Sequence, residues 1–428
     1  MITARAWAGK RYGVYGLARS GRACVAALEA SGAEVFAWDD GEGARASFDG
    51  VLTDLNEFDL ASLDALVVSP GVPHDAPLFV ATKAAGIPVI GDIELFAQAR
   101  AELPPHRVVG ITGTNGKSTT TALIHHILQT AGVPSLMGGN IGLPILGQTP
   151  LPAGGVYVLE LSSYQLEITD MLACDVAILL NITPDHLERH GTMEAYIAAK
   201  RRLFEMQTTD GVAIISGDDP ITAKLYADLW QRRSAPENMV LAHADSVAGQ
   251  SDWPALQGPH NAQNAAAAIA ACATLGLTQT QIAHGLAVYP GLPHRMERVR
   301  ETGGVLYVND SKATNADSAA PALAAYPHIH WIAGGQPKTQ ELDACLPHLA
   351  HVRAAYLIGE AAPLFGRLLD GRVPTHQSGT LVAAVHAAAA AATAGEVVLL
   401  SPACASFDQF TDYEARGRAF VDLVGELP

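Results

Sequence analysis

The sequence predicts an α/β protein of more than one domain, built on mostly parallel sheets. Short apolar runs alternate with helical stretches along the whole chain, which is the pattern of strand–helix–strand crossovers. The chain has 428 residues, enough for two or three domains. Apolar residues make up 49% and aromatics only 6%, so several cores can form and they should be aliphatic.

Eleven runs read as strands: "YGVYG", "EVFAW", "ALVVS", "RVVGIT", "YVLEL", "VAILLN", "VAIIS", "VLYVN", "IHWIAGG", "AAYLIG" and "EVVLLS". Parallel sheets collect ligands at the C-terminal ends of their strands, so those ends are where function is expected. Two breaks divide the chain. "GDIELFAQARAELPPHR" carries a helix into a Pro-Pro break near 92–105, and "YPGLP" lies at 289–293. Three domains are expected: 1–93, 94–290 and 291–428. The alanine-rich "AAVHAAAAAATAG" reads as a helix ended by Gly395.

Charge and cysteine content narrow the function classes. Lys+Arg number 27 against Asp+Glu 43, a net charge of −16, which argues against a general nucleic-acid or membrane-surface binder. The five cysteines (24, 174, 272, 345 and 404) are far apart with no CxxC pair, as expected of reduced, buried thiols in the cytoplasm. The start "MITARAWAGKRYG" has no apolar core of a secretory signal, and no run of 18 apolar residues suggests a membrane span.

The first strand opens on "YGLARSG". Gly16, Ala18 and Gly21 occupy the three positions of a dinucleotide fingerprint, and Asp39 ends the next strand, where a ribose-binding acid belongs. That makes the domain Rossmann-like. Alanine at the second position weakens a nicotinamide reading, and another diphosphate nucleotide can use the same turn. "VVSPGVP" at 67–73 is a second strand-end loop able to close over such a ligand.

"GITGTNGKST" at 110–119 lies between the strand "RVVGIT" and a helix with Leu123, Ile124, Ile127 and Leu128 on one face. This is the context of a phosphate loop: backbone N–H groups and a helix N-terminus converge on anionic oxygens. Lys117 is expected to reach the terminal phosphates and Ser118 to ligate Mg²⁺. Ile111 stands where a standard GxxxxGK has its first glycine. The alternative is a glycine turn with an incidental lysine.

Downstream, Glu160 ends an apolar strand, where a carboxylate is costly unless it meets a cation such as Mg²⁺. Asn181, Asp185 and His186 follow the next strand. In "GTMEAYIAAKRRLFE", Lys200 falls on the apolar stripe of Met193, Tyr196, Ile197, Leu203 and Phe204. Such a lysine either snorkels its head to water or stays buried with a lowered pKa. A neutral buried amine can take up CO₂ and become a carbamate ligand. Asn261 and Asn264 lie on the first turn of a helix, where they can cap or grip a nucleotide. His294 and Arg295 follow the 289–293 break. Asn309, Asp310, Ser311, Lys312 and Thr314 crowd one strand end, and Lys338, Ser406 and Asp408 follow two others.

Taken in order, "GITGTNGKST", "GGNIGLP", "LELSSYQLE", "NITPDHLERHG", "AAKRRLFE", "GPHNAQN", "GLPHRME", "NDSKATN" and "LSPACASFDQF" resemble the Mur ligases over nearly the whole chain. The resemblance implies a central P-loop ATPase-like domain between a Rossmann-like N-terminal domain and a Rossmann-like C-terminal one. It implies ATP-dependent amide formation between UDP-N-acetylmuramoyl-L-alanine and D-glutamate in cytoplasmic peptidoglycan precursor synthesis, through an acyl phosphate and a tetrahedral intermediate. An L-glutamate-adding or folylpolyglutamate synthase-like ligase is the alternative.

The same resemblance implies site residues. Arg19, Ser20, Asp39, Gly71 and Asn140 would hold the UDP-sugar. Gly113, Thr114, Asn115, Gly116, Lys117, Ser118, Thr119, Asn264, Arg295 and Asp310 would bind ATP. Ser118, Glu160, His186 and a carbamylated Lys200, formed with CO₂, would hold Mg²⁺ as two ions. Lys117, His186 and Lys200 would act in catalysis. Lys312, Thr314, Lys338, Ser406 and Tyr413 would line the D-glutamate site. The family more often has phenylalanine near Tyr413. Closure about 289–293 would exclude water, and a monomer is expected.

Overall fold

The computed structural model describes residues 1–73 and 75–428. The chain forms two compact units, Met1–His243 with Ala266–Gly285 and Ala244–Ala265 with Leu286–Pro428.

The first unit contains two sheets. One has β1 (Arg11–Tyr15), β2 (Glu34–Trp38), β3 (Ala65–Val68) and β4 (Val89–Ile90) in the order β2-β1-β3-β4, all parallel. The other has β5 (His106–Thr112), β6 (Ser135–Gly139), β7 (Gly155–Glu160), β8 (Val176–Leu179), β9 (Val212–Ser216) and β10 (Met239–Ala242). Its order is β10-β9-β8-β5-β7-β6, again all parallel. In both sheets the strand order reverses beside a strand followed by a glycine loop, β1 in one and β5 in the other. That geometry opens a crevice above the strand ends.

The second unit has one mixed sheet: β11 (Glu297–Thr302), β12 (Val305–Asn309), β13 (Ile329–Gly334), β14 (Val352–Ile358), β15 (Thr375–Gly379) and β16 (Val397–Leu400). The order is β11-β12-β16-β13-β14-β15, and β11 alone runs antiparallel. The predicted α/β class with mostly parallel sheets is what the chain adopts.

All eleven predicted strands exist. Five further strands, β4, β6, β10, β11 and β15, escaped the sequence reading, and each lies at a sheet edge. An edge strand has only one paired side and needs less apolar sequence; "THQSG" of β15 has no exclusively apolar face. The alanine-rich helix also ends sooner than expected. It spans Leu381–Ala391, and Gly395 (φ +89°) lies in the loop beyond.

The helix Lys117–Thr130 packs Leu123, Ile124, Ile127 and Leu128 fully inside, the face read from the sequence. The helix Arg19–Ala30 packs close to β1 because Gly21 has no side chain. A Cβ there would lie 1.8 Å from the Gly16 carbonyl oxygen. The fingerprint glycine therefore serves helix–turn packing, whatever ligand the turn takes. All five cysteines are buried and free. No helix among the described residues is long and apolar enough to cross a membrane.

Candidate active site

The glycine loop after β5 is held by its own neighbours. The backbone N–H groups of Thr114 and Asn115 donate to the Asn181 carbonyl and Oδ1 at 2.9 and 2.8 Å, and Asn181 Nδ2 returns a bond to the Asn115 carbonyl. Thr114 Oγ1 meets Tyr196 Oη at 3.1 Å and accepts from the Thr183 N–H at 3.0 Å. Gly116 then takes φ +83° as the cap of the helix Lys117–Thr130, a left-handed position that suits glycine. The result is a preformed turn at a helix N-terminus, whose first N–H groups have no intrahelical partner. Asn181 fixes this turn; at the sequence level it was only one polar residue past a strand.

Two lysines converge on the loop. Lys117 Nζ donates to the carbonyls of Gly113 and Thr114 at 2.9 and 2.7 Å. Lys200 Nζ donates to the same Gly113 carbonyl at 2.8 Å. Lys200 is 1% exposed, so the snorkelling alternative fails: the helix Met193–Glu205 turns the whole side chain inward. Its ammonium also lies 4.5 Å from the centre of the Tyr196 ring. Burial, and secondarily the Lys117 charge, push the Lys200 pKa well below that of a free lysine.

Glu160 ends β7 and is 3% exposed. Its Oε1 accepts from Asn140 Nδ2 at 3.1 Å, and its backbone carbonyl accepts from the Asn140 N–H at 2.9 Å. Glu160 Oε2 is buried with no hydrogen-bond partner. A buried carboxylate oxygen in that state suits a cation. No three His, Cys, Asp or Glu side chains among the described residues converge as a metal cage. A Mg²⁺ here would complete its shell largely with phosphate and water, its usual habit. His186, half-exposed, sits with Asp185 Oδ2 at 3.4 Å and Glu188 Oε1 at 3.6 Å. Ser118 is buried at the start of its helix and Thr119 half-buried beside it.

At the first sheet, Asp39 is committed to backbone. Its Oδ2 accepts from the Leu17 N–H at 2.6 Å and its Oδ1 from the Gly41 N–H at 2.8 Å. It stitches the loop after β2 to the loop after β1. Arg19 is exposed and Ser20 half-buried at the start of the next helix, and Gly71 has open space around it.

In the second unit, Asp310 follows β12. Ser401 Oγ donates to its Oδ2 at 2.8 Å and the Met296 N–H to its Oδ1 at 3.2 Å. Burial outweighs both bonds and the nearby Arg295 charge, and raises its pKa to about 7. Asn264 Nδ2 donates to Asn261 Oδ1 at 3.1 Å, and both amides are buried. Lys312 Nζ lies 4.0 Å above the Tyr413 ring, and Lys338 Nζ donates to Thr314 Oγ1 at 3.2 Å. Ser406 is buried. Asp408 accepts from the Glu360 N–H at 3.0 Å, so it braces a loop. Arg416, which sequence reading passed over, lies fully inside and donates to Ser311 Oγ and three carbonyls.

Among the described residues, four non-glycines have positive φ: His186 (54°), His294 (63°), Met296 (49°) and Ala403 (56°). Each lies on a segment named above; two flank Arg295 and one precedes Ser406 by three residues. Backbone held in this region costs of order 1–3 kcal/mol and persists where surrounding contacts over-determine it, often at functional sites.

A family model described as the Mur ligase middle domain matches residues 111–272. A second, described as the Mur ligase glutamate ligase domain, matches residues 294–404. The chain is 56% identical over 433 residues to the UDP-N-acetylmuramoylalanine–D-glutamate ligase of Novosphingobium aromaticivorans, covering 100% of this chain and 97% of that one. It is 57% identical over 436 residues to the same-named protein of Sphingopyxis alaskensis, with 100% of both covered. Among solved structures, UDP-N-acetylmuramate-alanine ligase from Thermotoga maritima superposes with TM-score 0.59 at 18% identity, over 97% of this chain and 99% of that one.

Proposed function

The chain belongs to the Mur ligase family, and from that premise we propose a site-by-site reading of its chemistry. The protein is an ATP-dependent ligase that adds D-glutamate to UDP-N-acetylmuramoyl-L-alanine in peptidoglycan synthesis; the same activity names its relatives of 56% and 57% identity. The observation that carries the site reading is the convergence of Lys117, Lys200 and the helix N-terminus on the loop 113–118, beside Glu160 with its unpartnered oxygen.

The reaction runs through an acyl phosphate. An alanyl carboxylate oxygen attacks the γ-phosphorus of ATP, the bond to the bridging oxygen breaks, and ADP leaves. The D-glutamate amine, having lost a proton, then attacks the acyl carbon. The tetrahedral intermediate expels phosphate and leaves the amide. The first step brings several anions together, so cationic groups must offset their repulsion. Lys117 and the N–H groups at the start of its helix hold the ATP phosphates, on a turn whose Thr114 and Asn115 N–H groups are fixed by Asn181. Ser118, Glu160, His186 and a carbamylated Lys200 would hold Mg²⁺, as two ions. Bound there, Mg²⁺ supplies charge neutralisation and Lewis acidity at the transferring phosphoryl group.

The burial of Lys200 supports the carbamate. A lysine that is neutral at working pH can add CO₂ to Nζ, releasing one proton and leaving an anionic ligand. Arg19, Ser20, Asp39, Gly71 and Asn140 position the sugar nucleotide, with Asp39 acting through the loop that it closes. In the second unit, Asn264, Arg295 and Asp310 serve the nucleotide, while Lys312, Thr314, Lys338, Ser406 and Tyr413 serve D-glutamate. The enzyme works as a cytoplasmic monomer.

The test is ADP release with UDP-N-acetylmuramoyl-L-alanine and either D- or L-glutamate. Release that requires the sugar nucleotide and D-glutamate is expected. Turnover with L-glutamate alone, or with a folate, overturns the substrate reading.

A further inference from the structure

His186 does not hold its conformation by itself. It begins the short helix Leu187–His190 with φ +54°, a conformation that costs a non-glycine residue about 1–2 kcal/mol. Asp185 Oδ1 accepts the His186 N–H at 3.0 Å. The other restraint comes from the far end of the helix, where two neighbouring side chains are anchored.

His190 is one anchor. Its side chain is fully buried, with Nε2 at 2.9 Å from Ser163 Oγ and Nδ1 at 3.0 Å from Glu167 Oε1. His190 Nδ1 has no hydrogen bond despite that proximity, so burial and the Ser163 contact are what hold the imidazole. Arg189 is the other anchor. Its guanidinium lies 3.7 Å from the centre of the Tyr164 ring, and its Nη1 donates to the Pro70 carbonyl at 3.3 Å. The same Tyr164 ring has His186 at 4.9 Å and His190, stacked, at 5.6 Å. Pro70 immediately precedes Gly71 on the loop after β3.

One side chain thus touches the sugar-nucleotide loop and, through a single aromatic ring, His186. We propose that Arg189 is a positioning residue that ties the loop 69–73 to His186, so that filling the sugar-nucleotide site sets the imidazole for the metal. The idea rests on the reading of Gly71 and His186 given above. A flat, five-donor cation suits both duties, since it can stack on Tyr164 while donating to a carbonyl in its own plane. Its Nε is buried without a partner, and the Pro70 bond and the ring orient it in the field of the Glu167 and Asp75 carboxylates. Linkage then works both ways: the sugar nucleotide tightens metal binding, and metal tightens sugar-nucleotide binding by the same factor.

The experiment measures Mn²⁺, as a paramagnetic probe, binding to the enzyme–ADP complex by electron paramagnetic resonance, with and without UDP-N-acetylmuramoyl-L-alanine. In the unaltered enzyme the sugar nucleotide is expected to tighten Mn²⁺ about tenfold, within the usual range of coupling. Arg189→Met should abolish the enhancement and leave Mn²⁺ affinity without the sugar nucleotide within about twofold. Arg189→Lys, which keeps charge but not the planar stack, should retain part of it. Full enhancement in Arg189→Met overturns the proposal. Equal weakening of both ligands measured separately, with a lowered Tm, also overturns it by making Arg189 merely structural. His186→Ala separates the two layers: unchanged Mn²⁺ affinity there refutes His186 as a metal residue. Weakened affinity there, with coupling intact in Arg189→Met, refutes only the tie.

Discussion

Among the described residues, two Lys or Arg side chains lie fully inside, one in each unit, and they are held in opposite ways. Arg416 is 1% exposed and donates four hydrogen bonds: to Ser311 Oγ and to the carbonyls of Ser311, Cys404 and Ala405. Burial lowers its pKa only to about 10, so it stays charged. Lys200 is also 1% exposed, yet its ammonium donates to one carbonyl, which Lys117 shares. A buried ion with its donors satisfied is scaffold. A buried ammonium with one acceptor and a cationic neighbour is unstable as an ion and available for chemistry.

Replacing each residue by methionine tests that contrast, and Lys200→Met should have the larger effect. It should cut kcat by about a thousandfold, comparable to removing a key charge-stabilising group. Tm should hold or rise, because a buried ammonium with poor satisfaction is removed. Added bicarbonate should not restore activity. Protein equilibrated with ¹³C-bicarbonate should show a carbamate carbonyl resonance that disappears in the variant. Full activity in Lys200→Met ends the carbamate idea.

Arg416→Met should show the reverse signature. Four acceptors lose their donor, two of them carbonyls of the loop before Ser406. A loss of about 3 kcal/mol is expected, read by urea denaturation. Since Ser311 adjoins Lys312, the KM for D-glutamate should rise in the folded fraction while ATP binding by the central sheet is retained. An unchanged denaturation midpoint would make Arg416 something other than scaffold.

The sequence exposed one of these cations and hid the other for a plain reason. Lys200 interrupts a helical apolar stripe, so the spacing singles it out, although the same spacing fits a snorkelling head and only the fold shows it buried. Arg416 lies in "DYEARGRAF", where nothing distinguishes a buried arginine from an exposed one, because its partners, one hydroxyl and three carbonyls, lie more than ten residues away in sequence. Sheet interiors and edges divide in the same way. β5, β7 and β16 are buried on both faces and read as continuous apolar runs. β11 ("ERVRET") and β15 ("THQSG") are edges with little apolar sequence, and their cross-strand side-chain contacts are polar or aromatic, Glu297 with Asn309 and His376 with Tyr356. Candidate residues can be named from the sequence, but not their connections: that Asn140 bonds Glu160, that Asp39 closes a loop, or that Arg189 reaches Pro70 requires the fold.

Asp92 extends the comparison to a buried anion. Its Oδ1 accepts from the Ile93 N–H at 3.0 Å and Gln165 Nε2 at 3.4 Å, while Oδ2 is buried with no partner. Burial raises its pKa from 3.8 to about 6. The raised value fixes the sign. The folded state binds this proton more tightly than the unfolded chain, so the stability it contributes is full below pH 3.8 and is lost as pH rises through about 6. Asp92→Asn keeps an acceptor and never ionises. Its advantage over the parent should be small at pH 4, grow to pH 6, and level at about 3 kcal/mol above pH 7. A difference in Tm that does not vary with pH would show that Oδ2 meets a donor.

The smallest effect is expected at Ala403, and it asks what Arg416 is holding. Ala403 has φ +56°, and the next two carbonyls, of Cys404 and Ala405, both accept from Arg416. Glycine at 403 removes about 1–2 kcal/mol of left-handed strain but frees the unfolded chain by about 0.4–1 kcal/mol, so a gain of about 0.5 kcal/mol is expected. If the arginine's bonds are what keep this turn strained, the gain belongs only to the parent. With Arg416→Met already in place the turn can relax without glycine, and Ala403→Gly should add nothing. Unequal gains in the two backgrounds would measure the coupling directly. Equal gains would mean that the strain is set by the strand ends themselves, and that the buried arginine fills a space shaped without it.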